Sequence, residues 1–258
     1  MTRFKLTLEY VGTRYRGWQI QKNARTVAGE LRQAIKTVAG QEPGELYGSG
    51  RTDAGVHALH QVAHLDLETR LPPAQLLWRI NEELPADINL LALEPAGRRF
   101  HARHAAVARS YLYQIARRRT ALGKPFVWWV KDALDPAAMA AAARQFEGLH
   151  DFGSFTDQDP EDGSTKVKVE SVEVREEGAL ILIRILGSHF LWKMVRRMVG
   201  VLAEVGRGEL GEDDVAHFLR VQSEAVAPLT APPSGLFLER VLYEGDPRPG
   251  PVRAVLAL

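Results

Sequence analysis

The sequence predicts an α+β protein made of two halves, each a split β-α-β arrangement of the ferredoxin kind with an antiparallel sheet backed by helices. Three observations carry this. Short alternating strands are interspersed with amphipathic helices, the connections are rich in Gly and Pro, and the order β, α, β, β, α, β in residues 1–104 largely recurs in residues 105–258.

In the first half, Phe4, Leu6, Leu8 and Tyr10 alternate on one face of a strand running from Phe4 to Tyr10. Thr26 opens a helical stretch in which Val27, Leu31, Ile35 and Val38 recur at helical spacing, and Gly40 ends it. Glu45 to Tyr47 and Val62 to Leu67 read as strands, Ala74 to Leu84 as a helix entered after Pro72 and Pro73, and Ile88 to Leu93 as a strand. The boundary between the halves falls near Pro95 to Ala108. The second half begins with a strand from Tyr111 to Ala116 and an alanine-rich helix from Pro136 to Phe146. Val167 to Glu176 and Ala179 to Leu186 form a hairpin around Glu177-Gly178. A helix from Phe190 to Val205, a shorter one from Glu212 to Arg220 and a strand from Leu236 to Tyr243 complete the chain.

A chain of 258 residues, 45% hydrophobic and 25% charged, has enough apolar material for a substantial core. No apolar run is long enough to cross a bilayer and Met1 to Lys5 has no signal-peptide pattern, so the expected location is cytoplasmic. The absence of cysteine excludes disulfides, thiolate nucleophiles and zinc–sulfur sites. Net charge is +1, but 25 of the 33 cationic side chains are Arg. Arginine forks match phosphate and stack on bases, which suits a local RNA-facing patch; thermophilic ion-pair networks have a similar composition.

Gly48 to Ala58 reads Gly-Ser-Gly-Arg-Thr-Asp-Ala-Gly-Val-His-Ala, with Asp53 and Arg51 as its only fully charged side chains. Gly50 and Gly55 offer backbone angles closed to other residues, so the segment can turn sharply and admit a ligand close to its backbone. Tyr10 to Gln21 interleaves Arg14 and Arg16 with Tyr10, Tyr15 and Trp18, a mixture that serves either base stacking or core packing. His57, His60 and His64 are three and four residues apart, but a strand does not bring that spacing together, and no metal site is expected. Arg103 and Arg109 precede Tyr111 and Tyr113, which project from one face of their strand. Lys193, Arg196 and Arg197 interrupt an apolar helix; one is a candidate partner for Asp53, and at least two are expected on its solvated face.

Together these segments resemble the tRNA pseudouridine synthase A family. The resemblance is carried by Gly50-Arg-Thr-Asp-Ala-Gly-Val-His-Ala58, Gly17-Trp-Gln, Asn81 with Leu84-Pro85, and Phe100-His-Ala-Arg103. It continues through Arg109 to Tyr113, Asp151-Phe-Gly-Ser-Phe155, Met194-Val-Arg-Arg-Met-Val-Gly200 and Ala231-Pro-Pro-Ser-Gly-Leu236. It implies a pseudouridine synthase fold and the isomerisation of uridine to pseudouridine at positions 38, 39 and 40 of the tRNA anticodon arm, without cofactor or metal. It further implies Asp53 as the catalytic carboxylate, Arg196 as the cation paired with it and Tyr111 as the ring that stacks on the target base. Arg51 and Arg109 become expected RNA contacts, and a homodimer the expected assembly. The alternative within the same class is a pseudouridine synthase of a related type acting at another RNA uridine, and two other classes would use the same residues differently. A non-catalytic RNA-binding module needs no Asp53 chemistry, and a glycosidase needs a second acid that no motif supplies.

Overall fold

The computed structural model describes residues 1–157, 163–256 and 258. The chain forms two compact units, Met1–Val107 with Phe237–Pro247, and Ala108–Leu236 with Arg248–Leu258. Both are α+β, as the alternation of elements requires.

The first unit runs β1 (Thr2–Tyr10), α1 (Val27–Ala39), β2 (Leu46–Gly48), β3 (His57–Leu67), α2 (Pro73–Glu83) and β4 (Ile88–Pro95). β1 lies between β4 and β3, antiparallel to both, and β2 pairs antiparallel with the far part of β3. Phe4, Leu6, Leu8 and Tyr10 are all buried, so the alternation in β1 reports its core face. Facing residues come from α1 (Val27, Leu31, Ile35) and α2 (Leu76, Ile80), none of them exposed. Each such side chain contributes about 1.5–3 kcal/mol by leaving water. Thr26 caps α1, its Oγ1 accepting the Gly29 N–H at 3.3 Å. β3 begins at His57, earlier than the apolar run alone indicates.

The second unit runs β5 (Ala106–Ala116), β6 (Trp128–Trp129), α3 (Pro136–Ala143), β7 (Gly148–Asp151), β8 (Lys166–Glu177), β9 (Leu180–Gly187), α4 (Met194–Arg207) and α5 (Glu212–Arg220). Its antiparallel order is β5-β9-β8-β7, with β6 added in parallel to the end of β5. β9 is apolar at nearly every position because both of its faces are covered. On one side Leu180 and Leu182 join Leu112, Ala116, Val127 and Val252, so the C-terminal tail closes that face. Arg184, the exception within β9, is buried and donates to the Gly250 carbonyl at 2.6 Å. The last strand, β10 (Leu236–Tyr243), belongs from Phe237 onward to the first unit, where Phe237 and Leu238 stand parallel to His57 and Ala58 of β3.

The helix expected from Phe190 begins at Met194 instead. Lys193 has φ +62°, a left-handed conformation that ends any helix entering from the N-terminal side. The Thr156 hydroxyl donates to the Trp192 carbonyl at 3.0 Å and helps to hold this turn.

Candidate active site

Asp53 sits, half-buried, on the connection between β2 and β3. The loop is held by main-chain and side-chain hydrogen bonds together. Ser49 N–H donates to the Val62 carbonyl at 2.7 Å, and its hydroxyl donates to Gln61 Oε1 at 2.8 Å. Gln61 in turn donates from Nε2 to the Gly50 carbonyl at 3.1 Å. On the other flank the residue 11–20 loop is laid along the same segment: Trp18 N–H reaches the Thr52 carbonyl at 3.1 Å, and Gly55 N–H reaches the Tyr15 carbonyl at 3.3 Å. Tyr10 and Thr52 share a hydroxyl hydrogen bond of 2.8 Å, and Gly12 N–H donates to His57 Nδ1 at 3.1 Å.

Such close approach leaves no room for side chains. A Cβ on Gly12 would lie 1.9 Å from the Val56 carbonyl oxygen, and one on Gly17 would lie 2.5 Å from that of Thr52. Asp53 opens a turn closed by Val56 N–H onto its carbonyl at 3.1 Å, with Gly55 at φ +81° in the left-handed position. Gly50 has no positive φ and open space around its Cα, so the freedom expected of it is not used. Tyr10, Tyr15 and Trp18 are all buried, which settles their role as core that braces the loop; Arg14 and Arg16 point outward.

In the second unit Arg109 and Tyr111 lie two apart on β5 and are both fixed by the segment before α4. Arg109 Nη1 donates to the Ser188 carbonyl at 2.8 Å, and Phe190 meets the Tyr111 ring edge-on at 5.2 Å between centroids. Tyr111 is 9% exposed, whereas Tyr113 is wholly buried. The Tyr113 hydroxyl donates to the Pro232 carbonyl at 2.8 Å, and burial pushes its pKa well up, against the opposing pull of Arg196. The two tyrosines therefore share a strand face but differ in exposure. Arg196, on the first turn of α4, donates from Nε to the Ala231 carbonyl at 2.6 Å, while Ala231 N–H donates back to the Arg196 carbonyl at 3.1 Å.

The expectation that two of Lys193, Arg196 and Arg197 are simply solvated is overturned. Arg197 is buried, and both it and Lys193, at 2.5 Å, grip Asp157. The Lys193 hydrogen bond, then Arg197, holds the Asp157 carboxyl below the usual range. Burial of a guanidinium is tolerable only with such a partner. Nothing local in the sequence links Asp157 to cations 36 and 40 residues away.

The family model described as tRNA pseudouridine synthase matches residues 7–104 and 142–244. The chain belongs to that family. It is 41% identical over 247 residues to the tRNA pseudouridine synthase A of Rhodopseudomonas palustris (strain BisA53), covering 95% of this chain and 100% of that one. It is 38% identical over 245 residues to the protein of the same name from Thermoanaerobacter sp. (strain X514), covering 94% and 100%. A chain of a Cbf5-Nop10-Gar1 complex overlaps 77% of this chain and 54% of its own at 13% identity and a TM-score of 0.35.

In this member of the family the histidines of the first unit divide as β3 dictates. His57 stacks on Phe237 at 4.8 Å, and His64, fully buried, instead joins Glu45 and His101, all three within 4.8 Å of one another. The chemistry of this cluster opposes metal binding. His64 Nδ1 accepts the Ala102 N–H at 3.1 Å, and His101 Nδ1 accepts those of Arg103 and His104 at 3.2 and 3.3 Å. Each neutral ring then carries its proton on Nε2, and that of His64 is directed at Glu45 at 3.0 Å. A cation would need the Nε2 lone pairs and would force Nδ1–H groups against backbone N–H groups. The cluster is a structural clasp that ties β3 to the turn at 100–104, and the His64 hydrogen bond holds the Glu45 carboxyl below its ordinary range.

Proposed function

We propose that this chain isomerises uridine to pseudouridine at positions 38, 39 and 40 of the tRNA anticodon arm, with Asp53 as its catalytic carboxylate. Membership of the tRNA pseudouridine synthase family makes it an isomerase of tRNA uridine. The reaction breaks the N1–C1′ bond and joins C5 to C1′; C5 gives up its proton and N1 takes one up, so nothing is oxidised or lost. In this reading Asp53 acts on the nucleotide, Arg196 pairs with it and Tyr111 stacks on the uracil, while Arg51 and Arg109 hold RNA. Extracting the base costs a few kcal/mol, about what stacking and phosphate contacts return.

The observation that carries the reading is the bracing of the Asp53 loop. A carboxylate whose flanking residues are tied by hydrogen bonds to Tyr10, Tyr15, Trp18 and Val62 has its position set before substrate arrives. No helix among the described residues is long and apolar enough to cross a membrane, and we place the protein in the cytoplasm as a homodimer. A two-fold would join two Arg-bearing surfaces into one track, which suits a chain of net charge +1. Light scattering at the mass of one chain in a fully active sample would remove the dimer.

The deciding experiment is Asp53→Asn, incubated with unmodified tRNA transcripts and followed by site-resolved pseudouridine mapping. The wild type is expected to modify positions 38 to 40. The variant should bind tRNA with nearly unchanged affinity and react about 10³-fold or more slowly. Full activity in the variant, or wild-type product at other positions only, defeats the proposal.

A further inference from the structure

Arg196 stands on the first turn of α4 between two other cations, and one carboxylate holds both of them. Asp157 accepts from Lys193 Nζ at 2.5 Å and from Arg197, whose side chain is 4% exposed. Asp157 is itself placed from the core. It follows the short turn Gly153–Phe155, where Phe152 and Phe155 are wholly buried and Phe155 meets Phe146 edge-on at 5.3 Å. The Ser154 hydroxyl donates to the Phe218 carbonyl at 2.8 Å, and that of Thr156 to the Trp192 carbonyl at 3.0 Å. Lys193 has φ +62°, a conformation that a residue with a Cβ keeps only where its surroundings hold it there. One turn further along, a Cβ on Gly200 would lie 1.5 Å from the Leu229 carbonyl oxygen. The helix therefore lies hard against the segment that supplies the Ala231 carbonyl to Arg196.

We infer that Asp157 is a positioning residue for the isomerisation: by holding Lys193 and Arg197 together it sets the start and the rotation of α4, and so the direction in which Arg196 points. This rests on the reading that Arg196 pairs with the catalytic carboxylate. Successive side chains on an α-helix point about 100° apart, so locking Arg197 inward fixes where Arg196 is aimed. Lys193 extends the hold of the same carboxylate across the left-handed turn. There the first hydrogen bond of the helix runs from Arg197 N–H to the Lys193 carbonyl at 3.0 Å. The Nε bond to Ala231 fixes one edge of the Arg196 guanidinium, but only relative to a backbone that stays in place. Without Asp157 the turn loses a contact that offsets its strain, and buried Arg197 loses its carboxylate. A first turn free to rewind displaces Arg196, and a shift of about 1 Å at the reacting groups costs up to about 100-fold in rate. Binding of tRNA rests on contacts spread over the surface and is little affected.

The test is a double-mutant cycle on the full chain with an unmodified tRNA transcript: wild type, Asp157→Ala, Arg196→Lys and the two combined. Single-turnover pseudouridine formation is followed at saturating tRNA and affinity is measured by filter binding, all well below the thermal melt of each protein. Asp157→Ala should react roughly 10- to 30-fold more slowly, with affinity within about threefold of wild type. Arg196→Lys should be about 100-fold slower, and adding Asp157→Ala to it should cost less than about threefold more, because nothing is left for Asp157 to position. A merely structural role would make the two losses multiply. Asp157→Asn keeps an acceptor oxygen without the charge and should recover much of the rate, leaving a loss of about threefold. If the alanine variant does not fold, the same cycle is run with Asp157→Asn, whose loss should vanish in the Arg196→Lys background. An unchanged rate in a folded Asp157→Ala protein, or an equal loss in both backgrounds, overturns the positioning role alone. An Arg196→Lys protein as fast as wild type overturns the reading of Arg196 on which it rests. A wild type that forms no pseudouridine overturns the functional reading itself.

Discussion

The segment around Asp53 and the segment around Arg196 are built from different forces. Residues 48–57 are held by hydrogen bonds between uncharged groups, half of them main-chain to main-chain, and by glycines that let strands of backbone come within touching distance. Residues 188–197 are held by side chains: two cations on one carboxylate, a tyrosine edge-on to a phenylalanine, and a guanidinium capturing a carbonyl. Main-chain contacts are indifferent to pH and intolerant of added volume. Ion pairs have the opposite sensitivities, since they lose their force when a carboxylate is protonated and tolerate small changes in packing.

The largest expected effect that would sharpen this contrast is in the first region. Gly12→Ala should cost about 3 kcal/mol in urea unfolding and lower pseudouridine formation, because its Cβ would drive the Val56 carbonyl away and shift the loop. A cost below about 1 kcal/mol with full activity would mean the loop is not clamped as described. Next comes Asp157→Ala, which strands buried Arg197 and should cost about 2–3 kcal/mol, somewhat less than a fully buried pair because Asp157 is a third exposed. Its pH dependence has a definite sign. The Asp157 carboxyl is lowered in the folded state, so its contribution is complete above the ordinary carboxylate pKa of about 3.9 and is lost as pH falls through the lowered value. The gap in stability between wild type and Asp157→Ala should therefore be constant from pH 7 to 5 and shrink below about pH 4; a gap that shrinks on the alkaline side would break the assignment. The smallest effect is Tyr113→Phe, about 1 kcal/mol from the lost bond to Pro232, with activity kept. If it matched Tyr111→Phe in loss of activity, the separation of the two tyrosines would fail.

Local pattern carried a good part of the fold. β1 and α1 could be read residue by residue because one buried face repeats with the period of its element. The start of α4 could not. Phe190 and Leu191 continue the apolar pattern, and only the contact of Phe190 with Tyr111 and the left-handed Lys193 show that they belong to a turn. β6 and β7, of two and four residues, exist through pairing with longer strands and have no period of their own. β10 reads plainly as a strand, but its parallel pairing with β3 depends on a partner far away in sequence. At the site, the glycine-framed Asp53 was evident as a motif, while the reason for Gly12 and Gly17, that the Asp53 loop lies against them, was not.

Spacing along the chain is enough for the α+β class, the helices and strands with a strong period, and the run around Asp53 that marks the family. Those are local properties, set by side-chain spacing and backbone preference over a few residues. Folding alone brings Asp157 to Lys193 and Arg197, His64 to the Ala102 N–H, and Arg51 and Arg103 to one cleft. Each of these joins residues with dozens of positions between them. Such pairings are fixed by packing and by the need of buried charges and donors for partners, which no single stretch of chain can supply.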